Sequence, residues 1–321
     1  MKKWIGQPDV CVVGSSNIDL LTKAPRLPRM GETLIGHRFH MGFGGKGANQ
    51  SVMAAKLGAN VTMVTKLGKD MFGEATYKNF KDQGIDTKYI FWDEERFSGV
   101  APIFVDDDGN NFIVIVPGAN WGLLTEDVLR AGGVIEGADV VICQLEVPLE
   151  TTAEALRIAK KGRALTVFNP APGSPLPAEL FSFSDVIAPN EVETEAILGK
   201  QIKSMGDAET AINEFLDRGS RVVIVTLGER GAMVGDEAGI DHIPTIPVKS
   251  VDTTGAGDAF IGTLAYYLAI QKPVREAVYI ANIAAALSVT KIGTQTSFPS
   301  KREVEERYGR EKERGLMGIE G

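Results

Sequence analysis

The stretch Asp252-Thr253-Thr254-Gly255-Ala256-Gly257-Asp258 places a carboxylate at the mouth of a helix, directly behind a turn of small residues. Ala259 to Leu268 follows as an apolar and small run of helical length, and Ile243 to Val251 before it is β-like, broken by Pro244 and Pro247. A Gly-x-Gly turn that opens a helix leaves backbone N–H groups unpaired, and the helix dipole adds partial positive charge at the same point. An anion belongs there. Asp258 by itself would suit the stabilising acid that many helices carry in their first turn. The glycines tip the reading, because glycine is a poor helix former and its use here implies close approach of the backbone to something. The stretch suits a phosphate beside a general base.

Working outward, short β-branched runs alternate with longer amphipathic stretches from about residue 60, the pattern of βα units feeding a largely parallel sheet. Strands are expected at Val10–Val13, Val61–Thr65, Val140–Cys143, Leu165–Phe168, Val186–Ala188 and Val222–Thr226. Helices are expected at Ala48–Leu57, Phe72–Gln83, Leu149–Lys160, Glu191–Leu198, Asp207–Arg218, Asp258–Ala269, Val274–Thr290 and Lys301–Arg314. The last is almost wholly charged and reads as a solvated helix before a frayed, Gly-rich tail. Two segments break the pattern. Leu20–Phe39 carries Pro25, Pro28 and Gly31 between β-like pieces, and Gly99–Val116 reads as a hairpin turned at Asp106-Asp107-Asp108-Gly109-Asn110. Both faces of that hairpin are apolar, so both must be covered. It belongs either within the main core or to a small β lid with one face over a substrate and the other against a second subunit; the lid is the favoured reading.

Composition sets limits on function. The 321 residues, 44% hydrophobic and 24% charged, can bury a sizeable core and give no sign of disorder. With a formal net charge of -8 and dispersed basic residues, neither nucleic acid nor an anionic membrane is an expected partner, so phosphate binding must be local. Cys11 and Cys143, each inside an apolar β-like run, read as buried reduced thiols of a cytoplasmic protein. His37, His40 and His242 give no metal-ligand spacing with them. No signal peptide and no apolar run of membrane-spanning length is read from the chain.

Gly42-Phe43-Gly44-Gly45-Lys46-Gly47-Ala48-Asn49-Gln50 contains G-x-G-x-x-G, yet it lacks the preceding strand and the later acid of a dinucleotide site. It also fails as a P-loop, since Gly47 stands where Ser or Thr would hold Mg²⁺. Glycines that let backbone N–H groups approach a polar ligand, with Lys46 and Asn49 bonding hydroxyls, suggest a sugar. Asn17 and Asp19 follow the first strand at a spacing that sets both on one face, where open α/β sheets bind ligands; an Asx turn is the alternative. Glu146 lies just past Val140–Cys143. Asn190 and Glu193, past Val186–Ala188, could orient Mg²⁺ through water or could simply cap a helix. Thr226-Leu227-Gly228-Glu229-Arg230-Gly231 offers hydroxyl and backbone donors to phosphate, or forms a tight turn between strands. Each site is ambiguous alone, but polar residues recur after strand after strand at the edge where such folds hold ligands.

The Gly44–Gln50 and Asp252–Asp258 motifs together resemble those of the ribokinase-like (PfkB) sugar kinases, and the resemblance runs from about Val10 to Pro299. It implies a three-layer, Rossmann-like α/β fold, a mostly parallel sheet flanked by helices, with a small β-sheet lid. The large catalytic domain would comprise residues 1–19, 41–97 and 118–321, and the lid, also the dimerisation element, 20–40 and 98–117. The implied reaction is transfer of the ATP γ-phosphate to the 5-hydroxyl of D-ribose, with Asp258 as general base and the amides of Gly255, Ala256 and Gly257 as anion hole. Asn17, Asp19, Gly45, Lys46, Asn49 and Glu146 would hold the sugar, with Ala101 and Ile113 packing over it. Asn190, Glu193, Thr226, Gly228, Gly231 and Asn282, with Gly257, would lie on the nucleotide and Mg²⁺ side. Asp252, Thr254, Ser288, Lys291, Gly293 and Ser297 resemble loops around an activating monovalent cation, usually K⁺. Kinases of the same fold for fructose, a keto-deoxy sugar acid or a nucleoside are the alternatives, and a non-catalytic sugar or nucleotide sensor is another. Asp258 with its glycines argues against the sensor; a sugar-acid kinase should carry further cations beside Lys46.

Overall fold

The computed structural model describes residues 6–314; the Lys2-Lys3-Trp4-Ile5 segment and the Gly-rich tail lie outside them. The chain forms β1 (Asp9–Val13), β2 (Asn17–Lys23), β3 (Arg38–Gly44), α1 (Lys46–Lys56), β4 (Asn60–Gly68), α2 (Met71–Asp82), β5 (Asp86–Asp93), β6 (Gly99–Val105) and β7 (Asn111–Ile113). It continues through α3 (Thr125–Arg130), α4 (Gly132–Gly137), β8 (Val140–Cys143), α5 (Leu149–Lys161), β9 (Leu165–Phe168), α6 (Ala178–Phe183), β10 (Val186–Ile187), α7 (Glu191–Leu198) and α8 (Met205–Asp217). The last elements are β11 (Val222–Thr226), β12 (Ala232–Asp236), β13 (Gly239–Ile243), α9 (Ala256–Ala269), α10 (Val274–Ser288) and α11 (Lys301–Glu313).

Nine strands form one sheet in the order β13-β12-β11-β10-β9-β8-β1-β4-β5, parallel from β5 to β11, with β12 and β13 antiparallel at one end. Its strands are apolar on both faces because both are covered. Val10 and Val12 join a core with α1, α9 and α10, while Cys11 and Val13 point into a second core with α3, α5 and α8. Each fully buried Leu or Phe in these layers contributes about 1.5–3 kcal/mol, and the two cores hold the sheet between helical layers. No helix among the described residues is long and apolar enough to cross a membrane.

The six strands and eight helices read from the sequence are all present. The strands it lacked, β5, β12 and β13, lie at or beside the edges of the sheet, where β5 buries little beyond Ile90 and Asp93. The β-like reading of Ile243–Val251 is corrected: pairing stops at Ile243, since Pro244 and Pro247 offer no N–H to a ladder. Helix α11 is solvated apart from the buried Val304 and Glu311.

The Gly99–Val116 hairpin pairs as expected, Ile103 opposite Ile113, and does not stand alone. A second sheet of order β3-β2-β6-β7 joins it, with β2 parallel to β6 and antiparallel to β3. This small sheet starts at Asn17 and β3 runs to Gly44, so its strands straddle the boundaries drawn at 19/20 and 40/41. Asp19, Ala101, Ile103 and Ile113 are in register and share one of its faces. The other face carries Phe39, Met41, Phe104 and Phe112, all exposed. Because β2 springs from the end of β1 and β3 leads into α1, the small sheet stands over the carboxyl edge of the large one.

Candidate active site

Helix α9 starts at Gly255, whose φ of +79° is left-handed, and no side chain caps it. A Cβ at Gly255 would lie 2.5 Å from Thr294 Cγ2, whereas one at Gly257 would meet nothing within 4 Å. The two glycines therefore differ in kind: the first is required by the turn and the second leaves space. Of the amides in this turn, that of Ala256 donates to the Thr253 carbonyl at 3.2 Å, while those of Gly255, Gly257 and Asp258 have no partner among the described residues. They open on a cavity of about 160 Å³ lined also by Lys46, Asn169, Asn190, Glu193, Thr226, Thr253 and the Asp258 side chain. Gly255→Ala is expected to cost roughly 1–3 kcal/mol through its left-handed backbone, while Gly257→Ala melts like wild type. Calorimetric unfolding checks this, and an unchanged Gly255→Ala would remove the strain argument.

Asp258 does not act as the ordinary first-turn acid that was the alternative for it. Its carboxylate is buried and turned inward, Oδ2 accepting from Asn49 Nδ2 at 2.8 Å and Oδ1 from Gln50 Nε2 at 3.0 Å. Asn49 is itself held by Gln295 Nε2 at 3.0 Å, and Gln295 by Asn79 Nδ2 at 2.9 Å. Burial raises the Asp258 carboxyl above its ordinary range, and Lys46 and the two amides pull against that. Burial acts to lower the Lys46 ammonium, yet Asp258, Glu146 and Glu193 around it outweigh the loss and hold it above its usual value.

The residues read as sugar-binding gather beside this carboxylate. Glu146 Oε2 accepts from Ser15 Oγ at 2.5 Å and from the Lys46 amide at 3.0 Å, which ties the end of β8 to the end of β1 and the start of α1. Asn17 Oδ1 accepts from Asn120 Nδ2 at 2.8 Å, leaving the Asn17 amide hydrogens without a partner among the described residues. Asp19 faces the Thr294 hydroxyl at 3.5 Å; burial, then Glu146 and Asp258, push its carboxyl up to about 7. Ala101 is buried next to Asp19 and Ile113 is half exposed on the same sheet face. The glycines on either side of Lys46 are also required by packing of the chain against itself. A Cβ at Gly45, where φ is +86°, would lie 2.6 Å from the Asn17 amide, and one at Gly47 2.7 Å from that of Ser15. The backbone they bring close is that of residues 14–17.

On the far side of the cavity Asn190 and Glu193 take the capping reading and border the cavity as well. They form a capping box, Asn190 Oδ1 accepting from the Glu193 amide at 2.8 Å and Glu193 Oε2 from that of Asn190 at 2.8 Å, and they also line the cavity. Burial raises the Glu193 carboxyl. Thr226 borders the cavity as well, and the Gly228–Gly231 segment is the turn between β11 and β12, with the amides of Arg230 and Gly231 spent inside it. Asn282 lies off the cavity, donating to the Ile243 carbonyl at 2.9 Å. Asp252 joins two loops, accepting from the Thr254 amide at 3.0 Å and the Gly293 amide at 2.9 Å. Ser288 and Ser297 bond the Ala285 and Thr294 carbonyls, and Lys291 reaches out to Glu303.

The sequence reading missed Ser15, Gln50, Asn120, Gln144, Asn169, Thr253, Thr294 and Gln295. Asn169 directly follows β9, and Gln144 directly follows β8, so the strand-end signal that exposed Glu146 could have found them. Gln50 closes a motif already in view. Asn120 and Gln295 carry no local signal, since their partners Ser16 and Asn49 are 104 and 246 residues away.

A helix N-terminus with free amides, a buried carboxylate and a lysine, at the carboxyl edge of a parallel sheet and under a second small sheet, define an α/β phosphotransferase type of site. The chain belongs to the pfkB family of carbohydrate kinases, whose sequence profile matches residues 7–301. It is 43% identical to ribokinase of Mus musculus over 300 residues, 92% of this chain and 93% of that protein. Deoxyribokinase of Salmonella typhi is 41% identical over 293 residues, 91% of this chain and 96% of that one. The structure of Arabidopsis thaliana ribokinase complexed with ribose and ATP has a TM-score of 0.88 at 29% identity, covering 94% of this chain and 99% of the other.

Proposed function

We propose that this protein is an ATP-dependent ribokinase, converting D-ribose and ATP to D-ribose 5-phosphate and ADP. The observation that carries the reading is the buried Asp258 carboxylate beside the unpaired amides of α9, with Asn49 and Lys46 adjoining it. Family membership and ribokinases aligned over nine-tenths of the chain support it. Asp258 takes the proton of the 5-hydroxyl as that oxygen bonds to the γ-phosphorus and the bond to ADP breaks. The amides of Gly255 and Gly257 stabilise the charge on the moving phosphoryl group, and that of Ala256 joins them when it leaves the Thr253 carbonyl. A single donor of this kind contributes about 3 kcal/mol and a positioned base roughly 10²–10⁴ in rate. Asn17, Asp19, Gly45, Lys46, Asn49 and Glu146 hold the sugar; Asn190, Glu193, Thr226, Gly228 and Gly231 form the nucleotide side. Asn282 acts there by supporting the segment after β13.

The residues fit the ions the family reading implies. The Glu193 oxygens are already bonded within the capping box, which suits a hydrated Mg²⁺ reached through water. When bound with ATP, Mg²⁺ supplies charge neutralisation between the phosphates. The loops joined by Asp252, with Thr254, Ser288, Lys291, Gly293 and Ser297, are the proposed seat of K⁺, bound chiefly through backbone oxygens. The small sheet of β2, β3, β6 and β7 is the proposed lid, with Ala101 and Ile113 over the sugar, and it excludes water during transfer. Its exposed outer face is the proposed homodimer contact. Phe112→Asp, on that outer face, is expected to shift sedimentation toward monomer, and an unchanged oligomer would tell against that contact. Two buried free cysteines support a reducing, cytoplasmic setting.

The aligned deoxyribokinase favours 2-deoxyribose as the second reading. A coupled ADP-release assay over ribose, 2-deoxyribose, fructose and adenosine, with and without K⁺, tests both. Ribose should give the highest kcat/KM; equal or better turnover of any other substrate would refute the ribose assignment.

A further inference from the structure

Gln50 closes the Gly44–Gln50 motif but does not border the cavity, and the sugar and nucleotide sets make no use of it. It is fully buried, and its amide makes three bonds. Nε2 donates to Asp258 Oδ1 at 3.0 Å and to Asn169 Oδ1 at 3.2 Å, and Oε1 accepts from Gln144 Nε2 at 2.7 Å. All three demand the same orientation. Turned over, the amide would set its oxygen against two acceptors and its NH₂ against that of Gln144. Asn169 cannot adapt, because its own Nδ2 donates to the Ala188 carbonyl at 2.9 Å and so keeps Oδ1 toward Gln50.

Gln144 is equally buried, and its Oε1 has no partner among the described residues; it sits against Gly14, where a Cβ would overlap it. An unsatisfied buried oxygen is an unfavourable choice for the chain unless the other end of the amide is needed where it is. That other end is the donor to Gln50. Asp258 also feels Lys46 from α1, Glu146 from the segment after β8, Glu193 from α7 and Asp19 from β2, but none of these fixes its Oδ1.

We propose that Gln50 and Gln144 are positioning residues for phosphoryl transfer: Gln144 fixes the amide of Gln50, and Gln50 holds the Asp258 carboxylate in the orientation in which it borders the cavity. This rests on the reading of Asp258 as the general base. Neither glutamine touches a substrate, so their loss is felt in kcat and not in KM.

The test is steady-state kinetics of the wild type, Gln144→Met, Gln50→Met and the double variant, with thermal melting of each. Gln144→Met should lower kcat about 5- to 10-fold and Gln50→Met about 10- to 100-fold, with KM for ribose and ATP within about twofold. The double variant should be no slower than Gln50→Met, because Gln144 acts through Gln50. Wild-type kcat in Gln144→Met, an effect carried in KM, or multiplying effects in the double variant would each overturn the proposal. Gln144→Leu replaces Gln144→Met if that protein does not fold, and failure of both would mark a purely structural residue and overturn it too. If the wild type turns over another sugar and not ribose, the substrate reading fails, and the same four proteins are compared on that sugar.

Discussion

Asp258→Asn is expected to lose about 10²–10⁴ of turnover with ribose while ribose still binds. The substitution keeps the size of the side chain and removes its capacity to take a proton. Asp258 accepts one hydrogen bond on each oxygen, from Asn49 and Gln50, so an asparagine must turn its NH₂ toward one of two donors. That conflict loosens Asn49 or Gln50 modestly, and ribose affinity measured by calorimetry should change only a few-fold. The fall in kcat should be far larger. In the wild type, burial raises the Asp258 carboxyl above its ordinary range. Activity should therefore decline as pH falls through that raised value, because the protonated acid cannot accept the hydroxyl proton. Near-normal turnover in the asparagine variant would remove Asp258 from the role of base.

Asp19→Asn is expected to raise KM for ribose about 10- to 100-fold, since hydrogen bonds from sugar hydroxyls to a charged carboxylate contribute about 1.5–3 kcal/mol. It should also make the free protein more stable at neutral pH. The Asp19 carboxyl moves from 3.8 to about 7 on folding, mainly by burial and then by Glu146 and Asp258. A raised acid binds more protons in the folded than in the unfolded state, so wild-type stability falls as pH rises from about 4 to about 7. The cost reaches at most roughly 4 kcal/mol before solvent screening reduces it. Asparagine lacks this titration. The melting temperature of the variant should thus gain on the wild type across that window and hold a constant lead above it. A lead that is equal at pH 4 and pH 8 would show that Asp19 is not a strained acid, and an unchanged KM would remove it from the sugar site.

The two faces of the small sheet show where legibility ended. Alternation within Gly99–Val116 was enough to say that both sides were apolar and that the hairpin needed cover twice. It could not say that β2 would lie parallel to β6, because β2 and β6 are separated by two helices and two strands of the large domain and nothing local encodes that pairing. Glycines were legible as special positions but not in purpose. Gly45 and Gly47 approach the chain at residues 14–17, and Gly255 alone of the α9 turn is strictly required by its backbone angle. Asn190 and Glu193 were read as either cap or ligand, and the structure has them cap the helix while they face the cavity.

The sequence by itself determined the layered α/β fold, the two motifs and the strand ends at which polar residues gather. These depend on local period, turn chemistry and the run of apolar residues, all written within a few positions of one another. Only the tertiary structure decided what surrounds Asp258. Asn49 and Gln50 reach it across more than 200 residues, and Gln144, Asn169 and Gln295 hold those two in place from other strands and loops. A buried carboxylate takes its orientation and its proton affinity from groups that folding brings within hydrogen-bonding distance, and their identity is a property of the packed interior.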